Sequence, residues 1–166
     1  MVYKNNKPYQ AIFLSTTKQA SFEQPNHLTF AKEFVFDIKT RDIIAKEQVT
    51  STVWPYEDMN RDEQSAINLN TDELFIEDKT GTIIANKEEN KVKLSYEDTD
   101  GKSNQAVLIR DKEDKKPEKI IFKGEADVTQ LDKRLLSEEV VFKFAEKKLI
   151  SNTTTKVRPK TLIFKK

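Results

Sequence analysis

At 166 residues the chain has the size of one domain, spanning 1–166, and is long enough to bury roughly two thirds of the surface its unfolded form exposes. Its 29 Lys and Arg against 28 Asp and Glu leave a net charge of +1, no excess to neutralise phosphates, which argues against nucleic acid as a partner. The absence of cysteine excludes disulfides, thiolate metal ligands and a Cys nucleophile, while 36% hydrophobic against 34% charged residues suits strands that show one charged face to water along their length.

In chain order, Met1 to Gln10 reads as a polar lead-in with no apolar run, so neither a signal peptide nor a membrane anchor is expected. Ala11 to Ser15 reads as a first strand, and Pro25 with Asn26 marks a turn. From Leu28 to Val53 comes the stretch that organises the rest. Phe34, Phe36 and Ile38 alternate with Glu33, Val35 and Asp37, a period of two that puts three apolar side chains on one face of a strand. The polar DIKTRD then turns the chain into a returning strand carrying Ile43 and Ala45 on one face and Ile44 on the other.

The same unit recurs. Forty residues on, Thr71 to Ala85 repeats it without a gap, with Leu74 and Ile76 for Phe34 and Phe36, Gly81 in the turn, and Ile83 on the returning strand. Another copy runs from Ser137 to Ser151, where Val140, Phe142 and Phe144 alternate with Glu139, Val141 and Lys143 and Leu149 returns. A looser copy lies between them: Val107, Leu108 and Ile109 open it, DKEDKKPEK stretches its turn, and Ile120, Ile121 and Phe122 close it. Recurrence at a few tens of residues marks stacked hairpins that cannot bury an apolar face alone. Between the units, the segment from Trp54 to Ala66 breaks the alternation and reads as a long loop with one helical turn near Arg61 to Ala66. DTDG reads as a hairpin turn, and Thr161 to Lys166 as an edge strand. No long helix is expected, and the fold class is all-β: a sandwich, barrel or jelly roll.

Chemistry is sparse. His27 is the only histidine and sits beside a proline turn without a serine motif, so it reads as a surface or turn residue, not a catalytic base. EDTDG lacks the third acidic position and terminal Glu of a calcium loop. Glu138 and Glu139 are neighbours on a strand and point to opposite faces. No catalytic residue, metal site or cofactor is expected. What remains is the apolar stripe: Phe34, Phe36, Ile38 and Ile43; Leu74, Ile76 and Ile83; Val107, Ile109, Ile120 and Phe122; Val140, Phe142 and Leu149. In a filled sandwich that stripe is ordinary core; between splayed sheets it is a trough for acyl chains, each buried CH₂ contributing about 0.8 kcal/mol.

The repeat LTFAKEFVFDIKTRDIIAKEQV, and more closely the run from Lys119 to Pro159, resembles the OstA-like family of lipopolysaccharide-transport domains, which includes the periplasmic bridge protein LptA, LptC and the amino-terminal domain of LptD. GEADV at Gly124 to Val128 fits the family pattern loosely. Its Gly-Asn-Val is replaced by Glu47-Gln48-Val49 here. The resemblance implies an open antiparallel β-jellyroll of two sheets in a V, with the apolar stripe as the lipid A surface. It further implies a periplasmic, non-enzymatic role in outer-membrane biogenesis, and head-to-tail contacts, edge strand to edge strand, with itself and other jellyroll domains of the machine. A leader segment would have been removed. The alternatives are an LptC-type domain of the same machine and a structural β-repeat protein with no cargo.

Overall fold

The computed structural model describes residues 1–4, 7–16, 18–55, 65–86, 91–111, 113, 116–152 and 159–163. These hold fifteen strands and no α-helix. They are β1 (Val2–Lys4), β2 (Lys7–Leu14), β3 (Ala20–Gln24), β4 (His27–Ala31), β5 (Glu33–Asp37), β6 (Ile43–Val53), β7 (Ile67–Ile76) and β8 (Ile83–Asn86), then β9 (Val92–Tyr96), β10 (Thr99–Ser103), β11 (Gln105–Arg110), β12 (Pro117–Gln130), β13 (Lys133–Lys143), β14 (Lys148–Asn152) and β15 (Lys160–Ile163). All pair antiparallel, as the alternating sequence and short turns require. The lead-in is itself strand: Val2–Lys4 folds back on Lys7–Leu14, which the polar composition of the first ten residues hid.

Six strands, in the order β7, β8, β11, β12, β10, β9, close on themselves as a barrel, and the other nine extend from it. The device that closes them is a crease. Four long strands, β6, β7, β12 and β13, each pair along one side with one long neighbour and along the other with two short strands. Thus β6 takes β5 against Ile43–Lys46 and β4 against Thr50–Val53, and β12 takes β11 against its first half and β10 against its second. The register breaks between, at Lys46/Val49 and at Lys123/Ala126.

Two consecutive residues with positive φ sit in each break: Glu47 (62°) with Gln48 (55°), and Gly124 (74°) with Glu125 (49°). A bulge of this kind bends a strand sharply. The short strands break at the same line, where the Lys32 N–H donates to the carbonyls of Lys46 and Glu47, and the Asn104 N–H donates to that of Gly124. Glu47 and Gln48 therefore adopt the backbone that Gly and Asn take most readily.

The crease divides the sheet into two arms. The first runs β1-β2-β5-β6-β7-β8-β11-β12-β13-β14 and the second β3-β4-β6-β7-β9-β10-β12-β13-β15. Repetition is visible in the turns of the first arm. In both of the first two units the N–H of Asp37 or Glu77 donates to the carbonyl of Asp42 or Thr82 at 2.9 Å, and that of Arg41 or Gly81 donates back at 2.8 Å. Arg41 (66°) and Gly81 (69°) share the left-handed conformation. The Asp37 carboxylate accepts the N–H groups of Lys39 and Thr40, and these bonds, that of Thr40 foremost, hold it below the usual carboxylate range. One expected turn moves: the reversal before β10 falls on Glu97 and Asp98, while Thr99, Asp100 and Gly101 of DTDG begin the strand. The segment at 56–64 lies outside the described residues.

Candidate functional site

Cross-strand register collects the repeat's apolar residues into two rows on the inner face of the first arm. One row reads Phe36, Ile43, Ile76, Ile83, Leu108, Ile120, Phe142 and Leu149, each directly opposite the next. The other reads Phe34, Ala45, Leu74, Ala85, Ala106, Phe122, Val140 and Ser151. So eleven of the expected surface residues face inward: Phe34, Phe36, Ile43, Leu74, Ile76, Ile83, Ile120, Phe122, Val140, Phe142 and Leu149. Val107 and Ile109 require correction. Leu108 is the inward residue of that strand, and Val107 lies opposite Ile84 and Ile121 on the outer face, because three consecutive apolar residues leave the period-two phase open. Ile38 stands past the end of β5, at the turn, and is 38% exposed.

Facing these rows, the second arm contributes Val53, Ile67, Leu69, Leu94, Tyr96 and Val128 to the same core cluster. The arms meet through rings. Tyr96 packs edge-on against Phe142 and Phe144 with centroids 5.8 and 5.1 Å apart, and Phe22 lies 6.2 Å from Phe34. Gly101 is a glycine because the Phe122 ring presses on its backbone: an added Cβ would lie 2.1 Å from the ring. In the middle the inner face is sealed, with Leu74, Phe122 and Val140 at 0% exposure. It opens toward the strand-order ends, where Phe36 and Leu149 are half-buried and Phe13, opposite Phe34, is 59% exposed.

Away from the crease the arm tips are tied by polar contacts. Lys147 of the first arm pairs with Glu97 of the second at 2.9 Å, and the Gln130 side chain donates to the Lys147 carbonyl at 3.1 Å. Buried Arg110, beneath the Gly81 turn, donates to the Pro55 carbonyl at 3.2 Å.

His27 is not at the surface. It is 3% exposed, facing inward from β4, and its Nε2 lies 2.6 Å from Thr29 Oγ1 and 2.7 Å from Ser51 Oγ, the hydroxyls themselves being 2.9 Å apart. Burial first, and the Arg110 charge second, push the imidazole down to about 3. A hydroxyl within hydrogen-bond reach of an imidazole resembles an activated nucleophile. Here Ser51 and Thr29 are 3% and 0% exposed, and the trio is a neutral polar knot that fills its own hydrogen bonds inside the core.

A cavity with polar walls lies elsewhere, on the outer face of the second arm. It is a groove of about 740 Å³ walled by the outward side chains of β6, β7, β9, β10, β12 and β13, among them Thr52, Asn68, Lys93, Lys102, Asp127 and Arg134. Asp127 is held in its charged form chiefly by the two hydrogen bonds Arg134 donates, both 2.7 Å. Sequence reading missed this groove because its lining comes from six strands, one to three residues each, with no local pattern. Fold and site together define an all-β domain of creased hairpin repeats. No protein-family model matches the chain, and no curated protein matches it.

Proposed function

We propose that the chain is a lipid-handling domain of the OstA-like type. It takes the acyl chains of lipopolysaccharide or a related glycolipid between its arms in the periplasm and passes them on, edge to edge, to like domains. In this reading the open V of two sheets is the loaded state, and the clasped arrangement is the empty one. The observation that carries it is the inner apolar row, which runs through every strand of the first arm from β5 to β14, Phe36 to Leu149, and stays partly uncovered at both ends. Parting the arms costs the Lys147–Glu97 pair and the ring contacts; acyl chains replace the ring contacts at about 0.8 kcal/mol per CH₂. The ends suit assembly, since β1, β3, β14 and β15 each pair on one side alone among the described residues, leaving backbone groups for a partner strand.

A second reading, a structural β-repeat without cargo, is favoured by the sealed middle of the core. The two separate in one experiment. The chain has no cysteine, so Glu97→Cys with Lys147→Cys, joined by a short bismaleimide, locks the arm tips together. Lipopolysaccharide binding to the unlinked protein and its loss on linking support transport; absence of binding in both supports the structural role.

A further inference from the structure

We propose that the groove on the outer face of the second arm binds an anionic saccharide. This stands on the opposite side of the sheet from the apolar rows and does not rest on the lipid reading. Two rows of side chains, cross-strand neighbours one residue pair apart, form its floor. Thr52, Asn68, Ser95 and Asp100 lie in one, and Lys93 with Lys102 in the other. Apart from Leu69 and Leu94, whose buried side chains point to the core, the groove is walled by polar residues and Gly101, so it offers an acyl chain nothing. Hydroxyl and amide groups that both donate and accept suit a ligand dense in hydroxyls. At about 740 Å³ the groove falls within the range of roughly 300–1,000 Å³ common to small-ligand sites.

The charge placement sets the ligand's sign. Lys93 stands directly opposite Lys102, a like-charged pair that destabilises a sheet unless something neutralises it. Lys102 also faces Asp127, but both oxygens of that carboxylate are engaged by Arg134. Neither lysine forms an ion pair among the described residues. A carboxylate or phosphate seated between the two ammonium groups relieves the repulsion, while the neighbouring row takes the sugar hydroxyls, Thr52, Asn68 and Ser95 donating and accepting and the Asp100 carboxylate accepting only.

Isothermal titration with trigalacturonic acid tests the proposal, with maltotriose as the uncharged saccharide and inorganic phosphate as the bare anion. The variants are Lys93→Gln with Lys102→Gln, and Thr52→Ala with Asn68→Ala, all at surface positions and checked for an unchanged melting temperature. The acidic trisaccharide should bind saturably, about tenfold tighter than maltotriose or phosphate, and each double variant should weaken it by about fivefold or more. Absence of saturable binding overturns the proposal. So does phosphate or maltotriose binding as tightly as the trisaccharide, or either double variant binding it undiminished.

Discussion

Gly101→Ala is the sharpest probe of whether the two arms are pressed together. The added Cβ would stand 2.1 Å from Cε1 and 2.5 Å from Cζ of Phe122, against an optimum near 3.5–4.0 Å between carbons. The ring therefore has to retreat by more than about 1 Å. It has nowhere to go, being 0% exposed and lying in the inner row between Ala106 and Val140. Overpacking of a filled core costs about 1–3 kcal/mol, and a rigid ring met at this range belongs at the upper end. For a chain of this size, about 3 kcal/mol corresponds to a fall of roughly 6–12 °C in melting temperature. Calorimetry on the wild type, Gly101→Ala, Phe122→Leu and the double variant closes a cycle. Phe122→Leu should cost stability alone yet recover part of the loss in the Gly101→Ala background. An unchanged melting temperature for Gly101→Ala would mean that the arms stand apart at this point, and the argument from the sealed core would fail.

Three other perturbations follow from the same geometry. Phe142→Ala, removing a 1% exposed ring packed on Tyr96 and Phe144, should lose about 3–5 kcal/mol in urea unfolding; a loss under about 1 kcal/mol contradicts a filled interior. His27 should make the fold acid-sensitive. The unfolded imidazole takes a proton near 6.5 and the folded one near about 3, so stability is complete above 6.5 and declines as the pH falls between those values, by about 1.3 kcal/mol from pH 7 to 5.5. His27→Gln should flatten that slope, and an identical slope in the variant refutes the assignment. Gln48→Gly relieves a left-handed residue in the crease and should raise stability by about 0.5–1 kcal/mol; a loss would show that the Gln48 side chain matters more than its backbone.

Much of this architecture was legible in the chain, and its limits have physical causes. Period-two alternation at Phe34 and Phe36, at Leu74 and Ile76, and at Val140 and Phe142 fixed which face turns inward, because a slip by one residue would expose every one of them. The same logic fails where consecutive residues are all apolar: Val107-Leu108-Ile109 has no phase of its own, and only pairing with Ile83 and Ile120 sets it. The crease left a trace in Gly124 but none in Glu47-Gln48, since ordinary side chains there adopt positive φ under the demand of the surrounding ladders. Turn residues marked Pro25-Asn26 correctly, while the acidic run around Thr99 was ambiguous by two positions. His27 was misplaced because its surroundings, Thr29 and Ser51, come from its own strand and the strand paired beside it, a network invisible without the pairing. The outer groove was beyond reach for the same reason.

Site-specific photo-crosslinking decides whether the inward surface of the first arm receives acyl chains, as proposed. A benzophenone side chain placed at Phe36 on the inner row, and separately at Phe75 on the outer face, is irradiated in the presence of lipopolysaccharide. Adducts at Phe36 with none at Phe75 are the predicted result. Adducts at Phe75 alone, or at neither position while both variants remain folded, would contradict it.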